Sequence, residues 1–442
     1  MSKFACIALF FSFVCCNVSF AQQSNSADHR IITGAERTDT YLPFLQNKKV
    51  AVFANQTSVI GNTHLIDSLL AMKVNVVKIF GPEHGFRGKA DAGEHVANGS
   101  DSKTGLPVIS LYGDHKKPTP ADLNDVDILI YDIQDVGVRF YTFISSLQLF
   151  LEAALENDKE LIILDRPNPN GFYVDGPVLA PACKSFVGMQ PIPIVHGMTV
   201  CEYVQMLMSE RWLSENAIKK LNELNDAWSE AIPPVKNVDT YFGETHQKSA
   251  TNKDLHKKLR FSAIFIPCQN YTHDMKYHLP VNPSPNLREM QSIYWYPSTC
   301  LFEGTVISEG RGTPKPFQIF GHPLLPKNLY AFTPQPNEGA KSSKCYNQVC
   351  YGWNVSGSIE EVLQRTDHKI QLQYLLEAYK LFPDKDSFFL KTNFFNKLAG
   401  NEQLMQQIKA GTSEVEIRKS WEPALDNFKS IRKKYLLYPD FK

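Results

Sequence analysis

The fold class is decided by residues 127–164, DILIYDIQDVGVRFYTFISSLQLFLEAALENDKELIIL, in which two apolar runs flank one helical pattern. The runs at 127–131 and 161–164 are apolar throughout, which is typical of strands buried on both faces. Residues 142–157 between them carry apolar side chains at helical spacing. A strand, a helix and a second strand in this order predict parallel pairing within one sheet.

The same alternation continues on both sides of this stretch. Strands are predicted at 48–54, 74–80 and 108–111, a helix at 64–72, and a further helix that begins after the N-cap residue Thr199. We therefore expect an α/β fold with a doubly wound parallel sheet in an N-terminal domain at 22–260.

The second half of the chain has a different pattern. Residues 267–325 are dense in Pro, Gly and aromatic residues, with few clear helices. Helical patterns return at 360–381 and 386–435. This change predicts a smaller α+β domain at 261–442.

The composition is that of an ordered globular protein without surplus charge. Its 442 residues include 46 Lys and Arg against 46 Asp and Glu, and 43% are hydrophobic. Apolar content this high excludes intrinsic disorder. The balanced charge argues against a protein whose main ligand is nucleic acid.

Residues 1–21 have the pattern of a secretory signal peptide. Lys3 precedes an apolar run at 7–14, and small residues including Ala21 occupy the cleavage positions. The run is too short for a membrane-spanning helix. We therefore expect an exported, periplasmic protein with no membrane association after cleavage. The alternative is a lipoprotein anchored through Cys15 or Cys16.

Nine cysteines are present, of which three lie in residues 1–21. The six that remain are Cys183, Cys201, Cys268, Cys300, Cys345 and Cys350. An exported protein can form disulfides, and only Cys345 and Cys350 are close in sequence, so they are the one predicted pair. No CxxC or Cys/His zinc spacing occurs, and a structural zinc site is not expected.

Polar side chains follow four of the predicted strands. Ligands of open parallel sheets bind outside the carboxyl ends of the strands, so these side chains are expected to share one site. They are Asn55, Glu83, His84, Arg87, Asp132, Gln134, Asp135, Arg139, Tyr141, Asp165 and Asn168. Two competing explanations are turn chemistry at 165–171 and a structural ion pair between Asp135 and Arg139, which lie four residues apart.

Glu83 is the leading catalytic candidate of this set. It follows an apolar strand and is enclosed by Gly81, Pro82, His84 and Gly85. A carboxyl group held by a stiff Gly-Pro turn at a sheet edge can be partly desolvated, which makes it a usable proton donor. His84 either orients it, binds substrate or packs structurally.

Further candidates lie outside these four loops. Glu94 comes from the segment after the Glu83 loop and is a second candidate carboxylate. The segments 282–286 and 300–317 of the second domain are rich in Gly, Pro and polar groups, and are expected to complete a cleft between domains. Their candidate residues are Asn286, Glu303, Glu309 and Arg311.

Several familiar cofactor and nucleophile motifs are absent from the sequence. It contains no GxSxG, no P-loop, no HExxH and no GxGxxG after the first strand. No cofactor is therefore expected, neither a nucleotide nor a metal, although scattered Asp and His at strand ends could assemble an oxygen-rich metal site.

Several long motifs resemble those of one known family. They are residues 81–88 (GPEHGFRG), 132–142 (DIQDVGVRFYT), 165–171 (DRPNPNG), 193–202 (PIVHGMTVCE), 279–286 and 300–313 (CLFEGTVISEGRGT). The sequence is similar, over essentially the whole mature chain, to the exo-β-N-acetylmuramidases of glycoside hydrolase family 171, formerly domain of unknown function 1343. Where the family often has Gly, this chain has Cys201.

The resemblance implies a Rossmann-like catalytic domain without a nucleotide and a C-terminal domain that shapes the cleft. It implies release of N-acetylmuramic acid from the non-reducing ends of peptidoglycan-derived glycans, with Glu83 as the catalytic glutamate. A glycosidase ordinarily uses two carboxyl groups, unless the 2-acetamido group of the substrate assists. The partner of Glu83 is left open among Glu94, Asp132, Asp135, Glu303 and Glu309.

The remaining site residues are assigned by the chemistry of this substrate. Its lactyl ether carries a carboxylate that a guanidinium can bind in bidentate fashion, and the candidates are Arg139, Arg166 and Arg311. His196 and Tyr141 are candidates for binding the acetamido or hydroxyl groups.

Two other functions compete with the glycosidase. One is a metal-dependent hydrolase of a phosphoester or amide that uses Asp132, Asp165, His84 and His196. The other is a non-catalytic periplasmic glycan-binding protein.

Overall fold

The structure, a computed structural model, describes residues 30–87, 98–228 and 263–442. The predicted signal peptide at 1–21, the candidate Glu94 and the predicted boundary between residues 260 and 261 lie outside these ranges. Each of the three stays a prediction.

Most of the strands belong to one central sheet. The strands are β1 (Val50–Ala54), β2 (Val59–Ile60), β3 (Thr63–His64), β4 (Val76–Gly81), β5 (Gly99–Ser100), β6 (Pro107–Ser110), β7 (Ile128–Asp132), β8 (Glu160–Leu164), β9 (Ala263–Ile266), β10 (Ile319–His322), β11 (Tyr330–Phe332) and β12 (Cys350–Asn354). The central sheet has the order β5-β6-β4-β1-β7-β8-β9, and only the β5–β6 pair is antiparallel. This order places the reversal of a doubly wound sheet between β1 and β7, where ligands of such sheets bind.

The central strands are apolar because both faces of the sheet are covered. Along β1, Ala51 and Phe53 pack into one core, whereas Val50 and Val52 pack into the other. The helix predicted at 142–157 covers one face as Phe143–Glu156 and is buried along most of its length. The predicted α/β class is therefore confirmed. Strand β9 was not predicted, and it joins this sheet from just beyond the predicted domain boundary.

The helices follow the predicted pattern in the N-terminal part and are more numerous than predicted in the C-terminal part. They are α1 (Thr38–Tyr41), α2 (Leu65–Ala71), α3 (Pro120–Leu123), α4 (Phe143–Glu156), α5 (Val200–Ser209), α6 (Glu215–Trp228), α7 (Met290–Thr299), α8 (Ile359–Thr366), α9 (Gln373–Leu381), α10 (Phe394–Ala399), α11 (Gln403–Lys409) and α12 (Glu414–Arg432). As predicted, Thr199 caps α5, and its hydroxyl accepts a hydrogen bond from the N–H of Glu202. None of the helices in the described ranges combines the length and the apolar character needed to cross a bilayer.

A smaller C-terminal domain packs a three-stranded antiparallel sheet, in the order β10-β12-β11, among helices α7 to α12. Helix α7 lies where few helices were predicted, and it contains Pro297 in its interior. Its Trp295 is fully buried and donates a hydrogen bond to the carbonyl of Val355 at 3.1 Å. Burial of this helix outweighs the cost of an internal proline.

The six cysteines beyond residue 21 are free thiols. The predicted disulfide between Cys345 and Cys350 is therefore not formed in the structure, although a hydrogen bond joins the two thiols and lowers the pKa of Cys345.

Arg139 connects the loop after β7 to the C-terminal helices. Its Nη1 donates hydrogen bonds to the carbonyls of Pro177 and Ile192, and its Nη2 donates to the carbonyl of Leu398, each at 2.8 Å. The side chain is fully buried, and this burial lowers the pKa of Arg139 to about 9. Gly400 has a φ of +85°, and a Cβ there would lie 2.4 Å from Nη2 of Arg139.

Gly400→Ala should displace the Arg139 guanidinium and strain the backbone at a left-handed position. We expect the free energy of unfolding, measured by urea denaturation, to fall by about 2–4 kcal/mol. Gly411→Ala is the matched control, because Gly411 also has a positive φ, +71°, but has open space around the new Cβ. The control should lose about 1 kcal/mol. Equal losses in the two variants would contradict the contact with Arg139.

Candidate active site

Glu83 lies in a tight turn directly after β4. His84 and Gly85 both adopt left-handed backbone conformations, with φ of +67° and +76°. The N–H of Gly85 donates to the carbonyl of Pro82 at 2.9 Å and closes the turn. This turn presents the half-buried Glu83 at the carboxyl edge of the sheet.

Two hydroxyl groups from other strand ends hold the Glu83 carboxyl group. Tyr112, which follows β6, donates to Oε1 at 2.9 Å, and Thr142, the N-cap residue of α4, donates to Oε2 at 2.9 Å. These hydroxyl groups bind opposite oxygens and so fix the orientation of the carboxyl plane. Groups of this kind pre-organise a catalytic side chain before substrate binds.

The segment 282–286 of the chain closes over this turn. The Ser284 hydroxyl lies 3.5 Å from Nε2 of His84. The Tyr141 hydroxyl donates to the carbonyl of Pro283 at 2.8 Å, and Gln56 Nε2 donates to the same carbonyl at 3.1 Å. The predicted cleft segment 282–286 therefore meets the Glu83 loop.

A cavity of about 380 Å³ opens beside this junction. It is within the size range of pockets that bind small molecules, about 300–1,000 Å³. Its walls carry both polar and apolar surface and come from the loop after β1 and from two segments of the later half of the chain. The lining residues are Gln56, Val281, Asn282, Ser284, Pro285, Arg288, Asn337 and Glu338.

Asp135 provides a second carboxylate at this edge of the sheet, in the loop after β7. Its Oδ2 accepts a hydrogen bond from the N–H of Gly137 at 2.6 Å and lies 3.7 Å from Nε2 of His196. Its Oδ1 is buried, and no hydrogen-bond partner for it exists among the described residues. Burial raises the pKa of Tyr141 well above its usual range, and the charges of Asp135 and Glu83 add to this effect. The charges of both carboxylates therefore act on the Tyr141 hydroxyl group.

Other predicted residues beside Asp135 also carry an unsatisfied polar atom. Within the described ranges, the buried atoms Asn55 Nδ2, Gln134 Oε1 and His196 Nε2 have no hydrogen-bond partner. Their remaining groups are used for support: Asn55 Oδ1 accepts from Thr57, and Gln134 Nε2 donates to the carbonyl of Pro167 at 2.7 Å. Each side chain is thus anchored on one side and can still bind a polar partner on the other.

Asp132, a candidate catalytic residue, lies in a buried ion pair instead. Arg166 donates from Nε to Oδ1 at 2.6 Å and from Nη2 to Oδ2 at 2.9 Å. Both side chains are almost fully buried. Arg166, a candidate for binding the lactyl carboxylate, is therefore already bound to a carboxylate, and the pair acts as a support.

Asp165 and Asn168 likewise have partners within the scaffold. The Tyr438 hydroxyl and the N–H of Cys201 donate to Asp165, and burial raises the pKa of Asp165 to about 6. Asn168 donates to the carbonyl of Met198 at 2.9 Å and accepts from the N–H of Asn170 at 2.8 Å. The turn explanation of residues 165–171 fits these contacts.

The charged candidates of the second domain form a network of their own. Arg311 contacts Glu303 at 2.7 Å and Glu309 at 3.2 Å, and Lys344 contacts Glu309 at 2.9 Å. Burial alone would raise the pKa of Glu309, but Lys344 and Arg311 outweigh it and hold the pKa below its usual value. These groups neutralise one another, so Arg311 is not available for a substrate carboxylate.

The other arginine and amide candidates are placed as follows. Arg139 binds three backbone carbonyls and makes no ion pair with Asp135, so the ion-pair explanation is wrong. Its guanidinium is fully buried and therefore does not suit a lactyl carboxylate. Arg87 is partly exposed and pairs with Asp101 at 2.6 Å. Asn286 donates to the carbonyl of Gly339 at 2.6 Å, and its buried Oδ1 has no hydrogen-bond partner in the described ranges.

Sequence reasoning did not select four residues that the structure brings to the site. Tyr112 and Thr142 bind Glu83, whereas Gln56 and Arg288 line the cavity. The positions of Tyr112 and Gln56 just after strands were a usable signal for both. Arg288 follows the 282–286 motif, but no sequence pattern marked it as a site residue.

No three His, Cys, Asp or Glu side chains within residues 30–87, 98–228 and 263–442 are grouped as metal ligands. Asp132 and Asp165 are two of the four residues proposed for a metal-dependent hydrolase. The carboxylate of Asp132 binds Arg166, and that of Asp165 binds Tyr438 and the N–H of Cys201.

Comparison with known proteins identifies the family of this chain. Family profiles described as exo-β-N-acetylmuramidase NamZ match it in two parts, the N-terminal domain at residues 50–291 and the C-terminal domain at 294–438. The chain belongs to the NamZ exo-β-N-acetylmuramidase family. The family resemblance that the motifs indicated is thereby confirmed.

Two kinds of relative support this membership of the NamZ family. The peptidoglycan β-N-acetylmuramidase NamZ of Bacillus subtilis (strain 168) is 36% identical over 420 residues, which cover 90% of each chain. Crystal structures of two DUF1343 family proteins of Bacteroides fragilis NCTC 9343 are also similar. One has 43% identity and a TM-score of 0.76 and covers 93% of this chain and 99% of its own. The other has 27% identity and a TM-score of 0.68, with 92% and 99% covered.

Arg166→Met should destabilise the protein strongly, because it leaves the Asp132 carboxylate buried without its partner. We expect a loss of about 3–5 kcal/mol in the free energy of unfolding, measured by urea denaturation. The double variant Asp132→Leu/Arg166→Met removes both charges and should recover at least half of that loss. A single variant as stable as the wild type would rule out a supporting role for the pair.

Proposed function

We propose that this protein is an exo-lytic glycosidase that releases N-acetylmuramic acid from the non-reducing end of peptidoglycan-derived glycans. The observation that carries the proposal is the Glu83 carboxyl group, held by Tyr112 and Thr142 in a chain of the NamZ family. The turn that carries Glu83 contacts Ser284, which lines a cavity. The B. subtilis relative is named as a β-N-acetylmuramidase that acts on peptidoglycan.

Glu83 acts as the general acid in this proposal. In its protonated form it gives a proton to the oxygen of the glycosidic bond as the bond from that oxygen to C1 breaks. The shortened glycan leaves with a new hydroxyl group. The two hydroxyl donors keep the carboxyl group in place while its charge changes.

Asp135 is our choice for the second catalytic carboxylate. Among the described alternatives, Asp132 is bound to Arg166, and Glu303 and Glu309 are bound to Arg311 and Lys344, whereas Asp135 has a buried oxygen without a hydrogen-bond partner. It acts either as the base that takes a proton from the attacking water or as the nucleophile that bonds to C1. A first product in the α form indicates the base, and one in the β form indicates retention, in which the nucleophile is either Asp135 or the 2-acetamido group of the substrate.

Glu83→Gln tests the proposal directly with a glycan fragment that ends in β-linked N-acetylmuramic acid, because its sugar leaving group, unlike an activated phenol, needs a proton. We expect kcat to fall by about 10²–10⁴-fold, because the amide cannot donate the proton that the leaving oxygen requires. Asp122→Asn is the control, since Asp122 precedes β7 and therefore lies towards the opposite edge of the sheet. It should retain wild-type kinetics.

The same assay separates the competing functions. A metal-dependent hydrolase would lose activity in a chelator, whereas the proposed glycosidase keeps it. A glycan-binding protein would bind the sugar without turnover in any variant. Absence of muraminide turnover by the wild type would refute the proposed function.

We further propose that the protein is exported and takes part in the recycling of the cell wall. The pattern of residues 1–21 supports export, because Lys3, an apolar run and Ala21 follow the order of a signal peptide. N-terminal sequencing of the protein from the periplasmic fraction should give Gln22 as the first residue. A blocked N-terminus at Cys15 or Cys16 would instead indicate a lipoprotein, and Met1 would contradict export.

A further inference from the structure

Arg288 is held rigidly at the wall of the cavity. Its Nε donates to the carbonyl of Pro285 and its Nη2 to the carbonyl of Glu338, both at 2.6 Å. Nη2 also lies 3.5 Å from Oδ1 of Asn337. Backbone carbonyls on two separate segments therefore fix the guanidinium before any ligand binds.

The charge of Arg288 is not neutralised by a neighbouring acid. Within the described ranges, no carboxylate oxygen lies within 4.0 Å of its guanidinium, whereas Arg166 and Arg311 each contact one. Glu338 also lines the cavity, but only its backbone carbonyl binds Arg288. Nη1 makes no hydrogen bond to any described residue, so two of its N–H groups remain available.

The surroundings of Arg288 fit a sugar that carries an anion. Amide side chains of Gln56, Asn282 and Asn337 line the same cavity, and the buried Oε1 of Gln56 has no hydrogen-bond partner among the described residues. Ser284, another lining residue, lies 3.5 Å from His84, the residue next to Glu83. Ser284 thus joins the cavity wall that carries Arg288 to the turn that carries Glu83.

We propose that Arg288 binds the lactyl carboxylate of N-acetylmuramic acid and gives the site its preference for this sugar over N-acetylglucosamine. The inference rests on the proposed function and adds the group that recognises the substrate. The outer edge of the guanidinium, Nη1 and the second N–H of Nη2, forms two parallel hydrogen bonds with the carboxylate. Because Arg288 is already fixed, little side-chain entropy is lost on binding.

Calorimetric titration of the wild type and of Arg288→Gln tests this assignment without requiring turnover. The ligands are N-acetylmuramic acid, its lactyl amide and N-acetylglucosamine. We expect the wild type to bind the acid at least about tenfold more tightly than the amide, as for a hydrogen-bonded charge pair. Arg288→Gln should lose this difference and bind the amide as the wild type does.

Arg365→Gln is the matched control, because Arg365 also donates to a backbone carbonyl, that of Val355 at 3.1 Å, but is not part of the cavity wall. It should keep the preference for the acid. Arg288→Lys keeps the positive charge and loses the bidentate geometry, so it should keep part of the preference. If Arg288→Lys keeps part of the preference, the site tolerates substitution at this position. Thermal melting of each variant then checks directly that Arg288→Gln is folded.

The outcomes separate this inference from the proposed function. If the wild type hydrolyses the muraminide but binds acid and amide equally, the role of Arg288 is wrong and the glycosidase stands. If the wild type shows no turnover but prefers the acid through Arg288, the catalytic proposal fails and the anion site stands.

If the wild type hydrolyses the muraminide, Arg288→Gln should raise KM about tenfold or more and leave kcat nearly unchanged. An equal weakening of all three ligands would overturn the inference.

Discussion

The buried ion pair between Asp132 and Arg166 is the interaction on which the catalytic edge of the sheet depends. Asp132 ends β7, and Arg166 comes from the loop after β8. Arg166 also donates to the carbonyl of Val59, and the Ser58 hydroxyl donates to the carbonyl of Asp132. Three loops are thus joined at the point where the strand order reverses. Neither charge can leave without exposing the other to an apolar interior, so the loops keep one arrangement.

Supporting and substrate-facing side chains at this edge have the same residue types but different partners. Arg139 binds three carbonyls in full burial, whereas Arg288 binds two and faces a cavity. Asp132 has a guanidinium on both oxygens, whereas Asp135 has one oxygen without a partner in the described ranges. Asp135 differs from Asp132 in its unused hydrogen-bonding capacity, and Arg288 differs from Arg139 in that it lines a cavity. Both differences depend on contacts between distant segments.

This difference explains how far the sequence predicts the molecule. The apolar runs at β1, β4, β7 and β8 require burial on both faces. This requirement can be read from the sequence of each strand alone. The position of a polar residue after a strand is equally visible, which is how Glu83 and Asp135 were found. The hydrogen-bond partner of such a residue cannot be read from the local sequence. Tyr438 binds Asp165 and Leu398 binds Arg139, and each partner lies more than 250 residues away along the chain. Helix α7 was not predicted for a related reason. The burial of Trp295, which donates to the distant carbonyl of Val355, compensates for the cost of Pro297 within the helix.

The contacts of Glu83 differ from those of Asp132 in a way that bears on catalysis. A carboxylate bound to a buried guanidinium cannot take up a proton without leaving that cation unpaired. Glu83 is bound by the neutral hydroxyl groups of Tyr112 and Thr142, which can rotate to donate or to accept as the carboxyl group gains or loses a proton. When Glu83 takes up or releases a proton, neither Tyr112 nor Thr142 is therefore left as an unpaired charge. These two carboxylates lie at the ends of the strands that flank β1, β4 and β7. The one held by hydroxyl groups suits a general acid, and the one paired with an arginine suits a support.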